Sequence, residues 1–465
     1  MSEEQSQFEN PLGFAPIGKT LAKFAVPAII SNLVSSVYNI TDQIFIGQGV
    51  GTLGNAATTV AFPITIICTA VAILFGFGGA ASLNLEMGRG NRGNGSKIVG
   101  TTFVCLLFSG IAISAMVGIF MEPLLNCFGA TKQNIGYATT YVSIINIGIP
   151  FLLVSTGGSH LIRADGKPAY SMATVIVGAV LNMVLDPLFI FLFHWGIAGA
   201  AWATVISQII SGLFIAAYLP RYQSFTLKWH DFVPRVNSLK SIIPLGASVC
   251  INQIAILVQQ IAINNVLREY GARSIYGSDT PLAAMGIISK ISMIVTAVAL
   301  GIAQGGQPIM GFNYGAKQYD RVRQTFRYIV TVSLAFSCIA FAAFQLFPGA
   351  IISLFGSGDK LYVQFATQLM RVYLFFTFVN GIQPISANSF PALGKPAKGV
   401  CVSIMRPALF LIPLFLFPRF MGVDGVAYAG LLADGITFLF ATSMWLYEFK
   451  KIPKNRSEKE FVLWI

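Results

Sequence analysis

The sequence predicts an all-α integral membrane protein, with twelve transmembrane helices in two six-helix bundles related by a pseudo-two-fold axis along the membrane normal. Three observations predict this. The chain has 465 residues, of which 55% are hydrophobic and only 10% charged, whereas a soluble globular chain carries about 25% charged residues. Apolar runs recur from about residue 20 to residue 447, each near the ~20 residues that cross a bilayer as a helix. The two halves of the chain also echo each other in sequence.

The apolar runs place spans at 20–46, 56–84, 97–121, 137–159, 170–192 and 198–219. After a polar linker come 238–263, 282–311, 324–347, 366–388, 399–417 and 423–447. The domain division is therefore 1–219, a linker at 220–237, and 238–465. Lipid offers no partner to backbone polar groups, so each span pairs its own as a helix. A barrel would show short alternating segments, which are lacking here.

Charge fixes the orientation. With both termini cytoplasmic, the inside segments hold twenty-two of the thirty lysines and arginines, including Arg163 and the tail residues Lys454, Arg456 and Lys459. The outside loops hold five: Lys132, Arg268, Arg273, Lys360 and Arg419. That bias follows the positive-inside rule and requires an even number of spans. It also accounts for the net charge of +12 without nucleic acid, since the charge sits in short loops. Six cysteines form no CxxC motif and no cluster with histidine, which argues against disulfides and metal sites. The acidic start, MSEEQSQFEN, lacks the features of a signal peptide.

Gly76–Gly90 aligns without gaps to Gly301–Gly315. Residues 164–168 (ADGKP) echo 392–396 (ALGKP), and Gly196–Gly199 echoes Gly422–Gly425. All three echoes share an offset of about 225 residues, so each half is one copy. Six spans per copy make both copies start on the same side. The repeat is then parallel, and substrate in such folds binds between the halves.

Charges inside a membrane are expensive and are read as functional first. Asp42 lies far along span 1, and Asp186 equally far along span 5. Asn182 is one turn before Asp186 and shares its face. Spans 4 and 6 run the other way, so Tyr141 and Thr204 near their starts reach the same outer depth. Two carboxylates close together in a low dielectric cannot both ionise cheaply. Such a pair would hold a proton, or bind Na⁺ through Asp42, Asn182, Asp186 and Thr204. The competing reading is that Asp42 and Asp186 are solvated carboxylates at the outer mouth.

Several features remain beside this group. Asp434 in span 12 is a possible second carboxylate for coupling, or else the partner of Arg406 in span 11. Glu86 is expected to pair with Arg89 and Arg92, and Lys290 and Arg371 to snorkel. Pro27, fifteen residues before Asp42, is a possible hinge or a static kink. Aligning Pro27 with Pro244 sets Gln259 opposite Asp42, so the halves are chemically unequal.

The chain resembles the MATE (multidrug and toxic compound extrusion) family along nearly its whole length. The resemblance rests on Asp42 and Gly47 in YNITDQIFIG, on RADGKP at 163–168, on LNMVLDP at 181–187, on WGIAGAAWATVIS at 195–207, and on GQPIMGFNYGAK at 306–317. It implies a bacterial secondary antiporter that exports cationic, lipophilic compounds in exchange for H⁺ or Na⁺ by alternating access. It also implies that the ion site uses an aspartate on helix 1 and an Asn-x-x-x-Asp pair on helix 5, with tyrosine and threonine partners from helices 4 and 6 in some members. These match Asp42, Asn182, Asp186, Tyr141 and Thr204. The expected partners are small cationic amphiphiles and membrane lipid, with no cofactor beyond the coupling ion. The expected state is a monomer in the cell membrane. A lipid or oligosaccharide-lipid flippase of the same superfamily is the alternative. An enzyme is disfavoured, because no HExxH, GxSxG, clustered histidine or P-loop motif occurs.

Overall fold

A computed structural model describes residues 10–277, 279–353 and 360–453. The acidic residues 1–9, the side chain of Lys360, and Lys454, Arg456 and Lys459 lie outside the described residues. No strand occurs among the described residues. The first six long helices are α1 (Ile17–Gly49), α2 (Thr52–Gly88), α3 (Arg92–Ile119), α4 (Ile135–Ala164), α5 (Pro168–Pro187) and α6 (Gly196–Tyr218). The second six are α7 (Val236–Ala272), α8 (Asp279–Gly315), α9 (Tyr319–Leu346), α10, α11 (Pro396–Leu416) and α12 (Gly425–Lys451). Here α10 comprises three pieces, Lys360–Tyr373, Thr377–Asn380 and Ile382–Ala392. These twelve build two lobes of six related by a pseudo-two-fold axis along the membrane normal.

Several helices outrun the apolar windows. α7 continues from the expected end at 263 to Ala272 and carries Arg268 and Glu269 with it. Helix hydrogen bonds do not stop where hydropathy does, because an aqueous interface tolerates polar residues on a continuing helix. The expected single span at 366–388 is instead a broken helix. It is interrupted at 374–376 and at Gly381, which packs so closely on α9 that a Cβ would lie 2.3 Å from the Ser333 hydroxyl. α5 does not simply end near 192. After Pro187, which has no N–H to donate, it widens into a π-helical turn at Leu188–Leu192.

The repeat is visible in backbone conformation. Gly166 and Gly394 both take positive φ, +86° and +68°, in the turn before the proline that starts α5 or α11. Gly196 and Gly422 do the same, at +54° and +62°, before α6 and α12. Only glycine adopts this region without steric cost, so turn chemistry records the duplication.

The lobes join by exchanging equivalents: α1 packs on α8, and α7 packs on α2. The contact is backbone on backbone. A Cβ on Gly246 would lie 1.9 Å from the Leu74 carbonyl oxygen, and one on Gly301 would lie 2.6 Å from Ile29 Cα. Such close approach is what small residues permit between helices in lipid. The hydrogen bonds between the lobes among the described residues run from the basic loops to mid-depth. These join Ser82 to Ser241, Asn32 to Ala297 and Gln304, Arg163 to Gln304, Asn313 to Leu12, and Arg321 to Leu12 and Ala15. None joins the far ends of α1, α2, α7 and α8. There Val37, Ile44, Ile254 and Ile261 remain exposed.

The segment between α6 and α7 is tied down by Asp165. Its carboxylate accepts from the Tyr218 hydroxyl at 2.7 Å, the Gln223 N–H at 2.8 Å and the Ser224 N–H at 2.9 Å. Glu86 pairs with Arg89 at 2.6 Å, and takes its other hydrogen bonds from the amides of Asn91 and Asn94 rather than from Arg92. Lys290 and Arg371 are exposed. Arg163, counted with the loops from sequence, is buried at the C-terminal end of α4.

Candidate functional site

Five helices of the first lobe bring side chains together near the end where the lobes are not joined. Asp42 is the α1 contribution. It is 7% exposed, on a helix face that also buries Ile46 one turn further on. Asn182 and Asp186 face inward from consecutive turns of α5, and Asp186 is fully buried. With its N–H₂ group toward the acid, the Asn182 amide donates to Asp186 Oδ2 at 2.8 Å, and its oxygen accepts from the Thr204 backbone N–H at 3.2 Å. The fixed i, i+4 spacing on α5 therefore orients the acid through the amide, while α6 holds the amide.

The two carboxyl groups meet side chain to side chain. Asp42 also accepts from Gln43 Nε2 at 3.4 Å. Gln43 in turn accepts from the Thr58 hydroxyl at 3.2 Å, which ties the α1 end of the site to α2. One oxygen of each acid, Asp42 Oδ1 and Asp186 Oδ1, is buried without a donor. A carboxylate is acceptor-only, so two carboxyl groups set against each other suit a proton, or a cation that takes oxygen ligands, between them. Tyr141 from α4 and Tyr38 from α1 both reach the Thr204 side chain. Ile46, Ile190 and Ile197, with Phe45 and Val50 packed against them, form an apolar cluster beside Tyr141.

The structure thus brings Asp42, Tyr141, Asn182, Asp186 and Thr204 into one cluster, and adds Tyr38. The signal for Tyr38 was present: it stands four residues before Asp42 in a helix, which puts both on one face. Pro27 is not part of this cluster. It lies about 22 Å down α1 by helical rise, between Ala25 and Ile29, where Gly305 and Gly301 of α8 cross.

Asp434 is also elsewhere. It forms an ion pair with Arg406 at 2.6 Å and accepts from Asn380 Nδ2 at 2.9 Å. Tyr373 lies beside Arg406 and Gln259, the residue set opposite Asp42 by the repeat. The second lobe therefore holds a polar cluster at a related place, with a glutamine where the first has an aspartate and an internal ion pair where the first has two acids.

Comparison with known proteins agrees with the doubled architecture. The MatE family model matches this chain twice, over residues 27–188 and 250–416. The chain is 25% identical over 429 residues to the multidrug export protein MepA of Staphylococcus haemolyticus, covering 91% of this chain and 92% of that one. It is 24% identical to MepA of Staphylococcus aureus, covering 92% and 93%. Among solved structures it is similar to an outward-facing multidrug resistance MATE family transporter, with a TM-score of 0.88 and 20% identity over 98% of this chain and 99% of that one. Its membrane-spanning helices, its two-lobed fold and these matches together make this chain a member of the MatE family of multi-pass membrane transporters.

Proposed function

We propose that the protein is a secondary active multidrug exporter of the cell membrane that exchanges lipophilic cations for protons, with Asp42 and Asp186 as the coupling pair. One observation carries this reading: two buried carboxyl groups in mutual contact, each with an oxygen that lacks a donor. The related MepA proteins, named for multidrug export, support the substrate class. The acidic character of this carboxyl pair favours cations over the anionic head groups that a flippase would carry.

The basic loops are assigned to the cytoplasm by the positive-inside rule, so the lobes are joined on the cytoplasmic side and the site faces outward. Labelling of Trp229→Cys from the cytoplasmic side only, and of Ile275→Cys from outside only, is the expected result. Both positions are exposed, at 92% and 77%. Labelling of both from one side contradicts this orientation.

The chemistry follows from solvation. Ionised, the pair needs water or a cation, which favours separated lobes at the outer face. Protonated, the pair no longer confines charge, and α1 and α5 can close over it. A ligand shifts such an equilibrium only through its differential affinity for the two states. Bound substrate and bound proton then exclude each other, because both compete to neutralise the same acids. One pH unit corresponds to a tenfold gradient for a one-for-one exchange, about 1.4 kcal/mol.

The test is efflux of an ethidium-like cation from proteoliposomes. Efflux that follows an imposed pH gradient, and is absent under a Na⁺ gradient at equal pH, is expected. Efflux driven by Na⁺ alone overturns the proton assignment, and efflux driven by neither overturns antiport.

A further inference from the structure

Arg163 and Arg323 are the buried arginines of the described chain, and Arg163 also differs from half-buried Arg406 and Arg321. Arg406 has Asp434. Arg321 donates to two backbone carbonyls and the Asn313 side chain, and Arg323 to two backbone carbonyls. Arg163 is 5% exposed, has no carboxylate within ion-pair distance, and makes one hydrogen bond, from Nη1 to Gln304 Oε1 at 2.8 Å. That acceptor is shared with Asn32 Nδ2 at 3.4 Å. Asp165, two residues on, is engaged elsewhere: it holds the inter-lobe segment. His160, one turn back on α4, offers no negative charge. The C-terminal carbonyls of α4 offer only a partial charge.

Gln304 belongs to α8 and Arg163 to α4, so this bond crosses between lobes at the face where they are joined. Two effects of opposite sign meet there. The hydrogen bond favours the joined face. Burial of a cation without a counter-ion opposes it, because Arg163 regains water when the face opens beside the loop at 165–167. A neutral amide returns only part of what a guanidinium loses on leaving water, and the burial cost is the larger of the two.

We propose that Arg163 is a positioning residue whose uncompensated charge drives the lobes apart at the basic face, with Gln304 as the restraint that keeps this drive small enough for the joined state to form. The proposal rests on the alternating-access reading above and deepens it: the return to the inward-facing form would be driven by hydration of Arg163, while the distant carboxyl pair sets when it occurs.

The experiment measures lobe separation, not transport, so a failure of drug or proton specificity leaves it interpretable. Spin labels go on Lys167→Cys and Ala397→Cys, exposed positions on the basic face, one in each lobe, with exposed Cys127, Cys338 and Cys401 replaced by serine. Distances are read at the pH where the joined and separated populations of the wild type are most nearly equal. Gln304→Leu is expected to raise the separated-to-joined ratio by about tenfold and Arg163→Met to lower it by about tenfold, the scale of an ordinary two-state bias. Arg163→Lys, which keeps the charge, is expected to stay near wild type. Where Arg163→Met does not fold, Arg163→Gln is expected to move the same way. Arg163→Met and Gln304→Leu both raising the ratio would make Arg163 a simple latch and overturn the proposal, as would a wild-type ratio in every variant.

Discussion

Asp42→Asn and Asp186→Asn each reduce pH-driven efflux to the level of protein-free vesicles while folded protein remains in the membrane. Asparagine keeps the shape and one acceptor oxygen but cannot release a proton, so the pair loses the two charge states that exchange requires. The fold is expected to survive, because the substitution removes a buried charge rather than exposing one. Lobe distances supply the mechanistic readout. Between labels on α1 and α7, the wild-type distribution shifts as external pH falls, and the double Asn variant stays fixed. Tyr38→Phe, which removes only a hydroxyl at Thr204, costs about tenfold or less in rate, the scale of one neutral hydrogen bond. Wild-type efflux from either single aspartate variant removes that residue from the coupling pair. A pH response that persists in the double variant moves the coupling elsewhere.

The second large effect belongs to the other lobe, on stability rather than transport. Arg406→Ala leaves Asp434 as a buried carboxylate, 3% exposed, with only Asn380 beside it. Breaking a buried ion pair from one side costs about 3–5 kcal/mol, and the variant unfolds at a correspondingly lower denaturant concentration. Replacing both partners by apolar residues, Arg406→Met with Asp434→Leu, recovers most of that loss, because neither charge is then buried alone. Efflux in the double variant remains near wild type if the pair is structural. Loss of efflux with recovered stability would give Asp434 a transport role, the alternative left open by its place in the middle of α12.

This asymmetry bears on why one lobe is assigned the coupling. The Asp434 carboxylate is charge-balanced by an arginine at 2.6 Å. Asp42 and Asp186 have amides beside them and no cationic partner among the described residues. The repeat made the lobes alike in backbone, down to the left-handed glycines at 166 and 394. Substitution at a few inward positions, Gln259 against Asp42 above all, made them different in charge.

Hydropathy, loop charge and the echoed motifs made the membrane class, the twelve spans and the doubled lobes legible without coordinates, because lipid forces each span to satisfy its own backbone and to present apolar side chains. Helix direction and spacing also made the depth of Asp42, Tyr141, Asn182, Asp186 and Thr204 legible, since depth follows from rise per residue. Contact between side chains on different helices does not follow from depth; it depends on how each helix is rotated about its axis. Only packing decided that Asp42 faces Asp186, that Tyr38 joins them, and that Asp434 turns to Arg406 rather than to the space between the lobes. Packing also turned Arg163 from an apparent loop charge into a buried one. Hydropathy assigns a residue near a helix end to the interface, whereas the bond from Arg163 of α4 to Gln304 of α8 is a property of the lobe junction, where backbone contacts such as Gly246 against Leu74 bring the two halves together.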